Sequence, residues 1–165
     1  MEKIEYNREA AVAYAREWAL SRNPAYYDFE EIGGDCTNFV SQILYAGAGV
    51  MNFTPNYGWY YNSLDDRAPA WTGVEYFARF ITTNEGAGPY GSFQPLYNAQ
   101  PGDFVQISFD GIDWQHNVVV LETGDFPMPD NIFTASHTYD SLDRAIDTYA
   151  FMDLRLIHIE GVRKT

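Results

Sequence analysis

The stretch GGDCTNFVSQ, residues 33–42, holds the single cysteine of a chain of 165 residues. Apolar residues recur from Phe39 to Gly47 at helical spacing, and Asp35 is a suitable N-cap, so a helix is predicted to begin beside Cys36. In the first turn of a helix, unpaired N–H groups and the helix dipole lower the pKa of a thiol. The sequence therefore places Cys36 where a nucleophilic cysteine would lie.

Three residues next to Cys36 bear on this interpretation. Gly33 and Gly34 permit backbone conformations and a close approach that a Cβ would prevent, which suits a loop over which a substrate passes. The Asp35 carboxylate opposes thiolate formation unless capping occupies its charge, and we also expect it to contact the substrate. A cysteine on the same face as Phe39 could instead be a small buried apolar residue, so the histidines must decide between the two.

On either side of this helix, the chain divides into a helical first half and a β-rich second half. An amphipathic pattern over residues 6–20 predicts a first helix, and the capping-box sequence Thr72-Gly73-Val74-Glu75 predicts a third helix that ends near Thr82. Four short β-rich runs follow, PGDFVQISF, QHNVVVLET, NIFTASH and DLRLIHIE. Helices before strands, with short connections, predict one α+β domain over residues 1–165, in which N-terminal helices pack on an antiparallel meander.

The charge and the composition exclude several classes of protein. Ten Lys and Arg stand against 23 Asp and Glu, a formal net charge of −13, which makes nucleic acid an unfavourable partner. A lone cysteine can form neither an intramolecular disulfide nor a zinc site with several cysteine ligands. No apolar run reaches the roughly 20 residues of a membrane-spanning helix, and the polar start MEKIEYNREA is not a signal peptide. We expect a monomer that is not embedded in a membrane and needs no cofactor.

The histidines supply a base for Cys36. His116 opens an apolar strand, where a ring with two nitrogens needs a partner. On the next predicted strand, Ala135 and His137 share one face, so antiparallel pairing would bring His137 beside His116. This arrangement predicts a triad in which Cys36 attacks a carbonyl carbon, His116 transfers the proton and His137 orients the His116 ring. The backbone N–H of Cys36 would contribute to an oxyanion hole.

Two alternatives use the same side chains. His137 could be a hydrogen-bonded residue at a strand end with no catalytic role. Cys36, His116 and His137 could also bind zinc with an open position for water, although no metal-binding spacing in the sequence supports this.

Aromatic residues cluster in the two loops around the third predicted helix. Trp59, Tyr60 and Trp71 could stack on a sugar or line a peptide groove, which makes them candidates for substrate binding. The alternative is that they close the core of a small domain. The nearby carboxylates of Asp65 and Asp66 could favour a substrate with a free amine.

Four motifs resemble the bacterial putative amidase domain family, a branch of the papain-like cysteine hydrolases related to CHAP and NlpC-type cell-wall peptidases. These motifs are YNREAAVAYAREWA, GGDCTNFVSQ, LYNAQPGDFVQI followed by QHNVVVLE, and ASHTYD, and together they span nearly the whole chain. The resemblance implies a papain-like fold with Cys36 as nucleophile and His116 as base. His137 is the best match for the orienting residue, with Asp140 or Asn117 as alternatives.

The same resemblance implies a function. It suggests a thiol-dependent amidase or peptidase that acts through an acyl-enzyme on peptidoglycan or a related bacterial peptide. It also suggests that the protein is secreted or lies in the cell envelope. A non-catalytic peptide- or glycan-binding module on the same scaffold, and an acyltransferase that uses identical residues, are the alternatives.

Overall fold

Four α-helices pack against one face of a seven-stranded antiparallel sheet in the computed structural model, which describes residues 1–165. The helices are α1 (Arg8–Trp18), α2 (Cys36–Ala48), α3 (Pro69–Thr72) and α4 (Val74–Thr83). The strands are β1 (Glu2–Ile4), β2 (Tyr61–Ser63), β3 (Asp66–Arg67), β4 (Gly88–Gln94), β5 (Phe104–Ser108), β6 (His116–Glu122), β7 (Phe133–Ser136), β8 (Ser141–Ala145) and β9 (Asp153–Lys164). The predicted α+β class with an antiparallel sheet is confirmed.

The sheet begins as the predicted meander and then departs from it. Strands β5, β6 and β7 pair in sequence order, and β8 adds to the far side of β7. The last strand, β9, returns to pair with β5, and it also pairs with β1 and β4. The sequence did not indicate β1, β4, β8 or the small β2–β3 hairpin, which are rich in glycine or charged residues, or are only two or three residues long.

Alternation along the strands divides the core into two parts. On the helix side, Val119 and Leu121 of β6 join a cluster of 23 buried residues drawn from all four helices and the sheet. On the opposite face, Val118 and Val120 belong to a second cluster of nine buried residues. Because side chains alternate along a strand, a difference of one position decides which face a β6 residue reaches.

Helix α2 is buried on nearly every side, and its polar residues all have partners. The Trp59 indole Nε1 donates to Ser41 Oγ at 3.0 Å, and the Trp71 indole Nε1 donates to Asn38 Oδ1 at 2.9 Å. Gln42 Oε1 accepts from the hydroxyl of Tyr14, a residue of α1. The polar side chains of the CTNFVSQ segment therefore hold α2 to its neighbours. Each of these bonds contributes to stability, because a buried N–H or O–H group without a partner costs free energy.

The third predicted helix begins later than its capping-box sequence indicates. Thr72 ends the short helix α3, and the N-cap of α4 is Gly73, which makes no side-chain capping bond. The Thr72 hydroxyl instead accepts a hydrogen bond from Arg67 Nε at 3.1 Å. The capping-box prediction is wrong because the hydroxyl oxygen that would have capped the helix accepts a hydrogen bond from Arg67 instead.

Candidate active site

The thiol of Cys36 lies at the first residue of α2 and is almost buried, with 8% of the residue exposed. Burial raises its pKa, and the Asp35 carboxylate adds to this effect. The backbone N–H groups of Asn117 and Thr37 and the Thr37 hydroxyl, whose oxygen is 3.7 Å from the sulfur, act in the opposite direction but are outweighed. The prediction that the helix start lowers the pKa of this thiol is therefore wrong, and the resting group is a neutral thiol at pH 7.

The sulfur lies beside the first residues of β6, where this strand is paired with β5 but not with β7. Strand β6 pairs with β7 at Val119 and Val120, but not at its first residues. The backbone N–H of Asn117 acts to lower the pKa of the Cys36 thiol, and Asn117 Nδ2 donates to Thr37 Oγ1 at 3.0 Å. The first turn of α2 is thus fastened to the strand position directly after His116.

The His116 ring projects from the sheet face opposite α2. It lies 5.7 Å from the Tyr149 ring and 6.2 Å from the Phe109 ring, measured between centroids. His116 is only 3% exposed, and its Nε2 is buried without a hydrogen-bond partner. The structure shows no hydrogen bond between this ring and Cys36, so a direct thiol–imidazole contact requires the ring to turn toward the sulfur.

His137 does not orient His116, and this part of the predicted triad is wrong. Its Nδ1 lies 2.5 Å from Asp35 Oδ2, its Nε2 lies 2.8 Å from the backbone oxygen of Trp18, and its ring stacks on Phe39 at 3.8 Å. Each ring nitrogen lies within hydrogen-bond distance of an oxygen atom of Asp35 or Trp18, so neither nitrogen is left to orient His116. The pairing of Val119 with Ala135 sets His137 opposite Asn117, which sends the two imidazoles to opposite faces of the sheet.

Asp35 is a structural anchor and does not bind substrate. Its side chain is fully buried and makes no capping bond to α2. Instead, Oδ1 accepts from the backbone N–H of Phe29 at 2.8 Å and from Asn38 Nδ2 at 2.9 Å, while Arg22 Nε lies 3.6 Å from Oδ2. Together with His137, these donors lock the loop before Cys36 to α1 and to the end of β7.

The two alternative orienting residues are also engaged elsewhere. Asp140 forms a bidentate ion pair with Arg22, in which the two terminal guanidinium nitrogens donate to Oδ2 at 2.8 Å and to Oδ1 at 3.1 Å. Asn117 Oδ1 accepts from Gln106 Nε2 at 2.9 Å, in addition to the bond from Nδ2 to Thr37. The position behind the His116 ring is therefore filled by none of the residues that the sequence suggested, and the residue found there, Tyr149, follows a strand that the sequence did not indicate.

The glycines before Cys36 fulfil their predicted conformational role. Gly33 and Gly34 have φ values of 82° and 95°, which side chains with a Cβ rarely adopt. This backbone path lets the N–H of Asp35 donate to Thr138 Oγ1 at 3.0 Å. A Cβ on Gly34 would lie 3.2 Å from the same hydroxyl oxygen. The loop is thus held against the end of β7.

The aromatic candidates for substrate binding separate into two groups. Trp59 and Trp71 are fully buried in the helix-side core, so the prediction that they contact substrate is wrong and the core alternative is correct for them. Tyr60 is partly exposed and packs 5.4 Å from the exposed ring of Phe53, so it stays a candidate.

The zinc alternative is not formed. No three His, Cys, Asp or Glu side chains come together in a way that could hold a metal ion. His137 in particular is engaged by Asp35 and Trp18, on the opposite side of the sheet from His116.

None of the helices has the length and apolar character needed to cross a membrane.

Because the His116 ring is buried, we expect the free energy of unfolding to fall in acid. Burial, with a smaller contribution from the charge of Arg144, lowers its pKa from 6.5 to about 4. Between these two values the unfolded chain binds more protons than the folded one, so stability is full above pH 6.5 and falls as the pH drops toward 4, by up to about 3 kcal/mol. Urea unfolding of wild type and His116→Gln across this range should show a flatter pH dependence in the variant. Parallel curves would mean that His116 titrates normally.

Comparison with known proteins gives two matches. Residues 5–159 match a protein family described as "Putative amidase domain". The chain is 30% identical over 144 residues to an uncharacterized protein of Bacillus subtilis (strain 168), YhbB. This match covers 84% of the chain but only 43% of YhbB, so the chain spans less than half the length of that relative. No solved structure matches the chain.

Proposed function

Because the chain belongs to the putative amidase domain family, we propose that it hydrolyses amide bonds, with Cys36 as nucleophile and His116 as general base. The catalytic part has a papain-like arrangement, in which a helix that begins at the cysteine packs on an antiparallel sheet whose strand β6 begins at the histidine. The cysteine dependence and the roles of both residues are part of this proposal.

One observation carries the proposal. The backbone N–H of Asn117 acts to lower the pKa of the Cys36 thiol, and the hydrogen bond between the side chains of Asn117 and Thr37 holds the two segments together. His116 is the residue before Asn117, on a stretch of β6 that is paired with β5 but not with β7, and its ring must turn from the opposite sheet face to reach the sulfur. Its buried Nε2 has no partner, which is unusual for a side chain with only a structural role. Catalytic hydrogen bonds are often formed only when substrate is bound.

The protonation states define how the reaction starts. Cys36 rests as a thiol and His116 as a neutral imidazole, so the ring can take the thiol proton while the sulfur attacks the carbonyl carbon. The backbone N–H of Cys36 makes no hydrogen bond within the protein and is free to bind the resulting oxyanion.

The remaining steps return the enzyme to its starting state. Collapse of the tetrahedral intermediate breaks the C–N bond, and the His116 imidazolium gives its proton to the leaving amine. A water molecule then attacks the thioester while His116 accepts a proton from it. The acid is released, and the thiol of Cys36 recovers its proton.

We place the substrate among bacterial wall peptides, at the cell envelope or outside the cell. The four motifs that span the chain support this choice. The formal charge of −13 disfavours strongly anionic substrates, and a stem peptide with a free amine suits such a surface. The partly exposed Tyr60 and the exposed Phe53 offer rings against which a peptide or sugar could pack.

A digest of purified peptidoglycan tests this function. Wild type is expected to release new amino groups and stem-peptide fragments, identified by mass spectrometry of the products. Cys36→Ala should release none above background, because it has no nucleophile. If both proteins release the same products, or if neither does on peptidoglycan or on a panel of peptide amides, the protein is not a cysteine-dependent amidase.

A further inference from the structure

The ring of His116 lies against an unusual neighbourhood for a catalytic base. Tyr149, which is 7% exposed, lies 5.7 Å from it between ring centroids, and the Tyr149 hydroxyl shares a hydrogen bond with the fully buried Ser136 at 3.1 Å. The guanidinium of Arg144 sits over the Tyr149 ring at 3.6 Å. Arg144 thus contacts Tyr149, whose ring is tilted by 51° from that of His116, and we call these three residues the layered group.

We propose that Tyr149, backed by Arg144, is the positioning residue for the His116 ring, in the place where Asp, Asn or His was expected. This inference rests on the proposed catalytic role of His116. The Tyr149 ring limits the orientations that the imidazole can adopt, at rest and as it turns toward Cys36, and the hydrogen bond between its hydroxyl and Ser136 fixes its own position. Arg144 is held over the Tyr149 ring by hydrogen bonds to Thr148, from Nε to Oγ1 at 2.8 Å and from one terminal nitrogen to the backbone oxygen at 3.1 Å.

Arg144 brings a positive charge to this group, whereas an orienting Asp would bring a negative one. Arg144 has no carboxylate partner among the ion pairs of the structure. It is the charged group that acts on His116, and no carboxylate offsets it there. The two rings beside His116, those of Phe109 and Tyr149, carry no carboxylate. A cation behind the ring makes an imidazolium unfavourable, whereas an acid in the same place would stabilise it.

This arrangement has a chemical consequence. A stable thiolate–imidazolium pair between Cys36 and His116 is disfavoured at rest, so the thiol should not react as a preformed thiolate. The proton that His116 receives during attack is held only weakly, which favours its transfer to the leaving amine. Arg144 thus speeds the acid step at the expense of the base step, and its removal should change the balance between them.

Titration of the histidine rings by NMR tests this proposal without any substrate. The chain has only three histidines, so the His116 signal can be assigned with His116→Gln. Arg144→Gln is expected to raise the pKa of His116 by about one unit, because it removes the nearby positive charge. Arg144→Lys should keep the pKa low. Arg163→Gln is a matched control, since Arg163 stacks on Tyr90 at 3.9 Å in a different part of the sheet, and it should leave His116 unchanged.

Tyr149 has its own pair of variants. Tyr149→Phe keeps the ring and removes the hydroxyl bond to Ser136, and Tyr149→Leu removes the ring face as well. We expect kcat to fall several-fold in the first and about 100-fold in the second, with KM nearly unchanged, because orientation of a general base contributes to the chemical step. Equal, wild-type kcat in both variants would overturn the positioning role.

The outcomes separate this inference from the proposed function. If Arg144→Gln titrates like wild type and like Arg163→Gln, the layered group does not act on His116 and the inference is wrong. If the pKa of His116 rises as expected and the acid limb of kcat/KM moves with it, both proposals are supported. A raised pKa with an unmoved acid limb would support the contact between Arg144 and His116 but remove His116 as the catalytic base.

Discussion

Replacing Asp35 by Ala should lower the free energy of unfolding by about 3–5 kcal/mol, because three buried groups lose their partner at about 1–3 kcal/mol each. The change removes the carboxylate that contacts His137 and leaves the buried Nδ1 of that ring, which stacks on Phe39, without its partner. The N–H of Phe29 and the amide of Asn38 also lose their acceptor. Urea unfolding followed by the fluorescence of the buried tryptophans measures the effect.

Two variants make this result specific. Asp113→Ala removes a carboxylate from an exposed turn and should change stability by no more than about 0.5 kcal/mol. Asp35→Asn keeps the shape but not the charge, so its loss should lie between the two. A loss for Asp35→Ala no larger than that for Asp113→Ala would show that the Asp35–His137 pair is not the anchor described above.

Replacing His116 by Gln should lower kcat/KM for amide hydrolysis about 10²- to 10⁴-fold, the usual contribution of a positioned general base. The fold should be retained, because His116 Nε2 makes no hydrogen bond that the change would break. Initial rates on a peptide amide identified from the peptidoglycan digest, together with urea unfolding at pH 7, give both quantities for one protein.

His137→Gln is the matched comparison for this variant. His137 holds Asp35 and the end of α1 but faces away from His116, so its replacement should reduce stability more than it reduces kcat/KM at a temperature where the variant is folded. If His137→Gln abolishes turnover while His116→Gln leaves it intact, the base has been assigned to the wrong histidine.

The sequence predicted the elements whose signal is local. Helix α2, strands β5, β6, β7 and β9, and the positive φ of Gly33 and Gly34 follow from spacing, propensity and glycine content. Strand β4 was missed because its Gly-rich sequence reads as a turn. The structure uses Gly91 there because an added Cβ would lie 2.1 Å from the backbone oxygen of His158 on the paired strand, a constraint that only the pairing reveals.

The site was less predictable because it depends on register and on competing charges. His116 lies at the start of β6 and His137 directly after the end of β7, as predicted. However, the pairing sets His137 opposite Asn117 rather than His116, and this difference of one residue places the two rings on opposite faces of the sheet. Asp35 was predicted to cap a helix, yet it faces His137, Phe29 and Asn38 instead. Arg22 and Tyr149 lie in segments with no periodic signal, so nothing in the sequence pointed to them.

The pairing of Cys36 with His116 can be tested with 4-nitrophenyl acetate, an ester small enough to reach a nearly buried thiol. Acid-quenched samples are analysed by intact-protein and peptide mass spectrometry over time. We predict a single acetyl group on the peptide that contains Cys36, formed about 100-fold more slowly in His116→Gln. Acetylation of Cys36 at the same rate in both proteins, or an acetyl group only at other residues, would show that His116 does not activate this thiol.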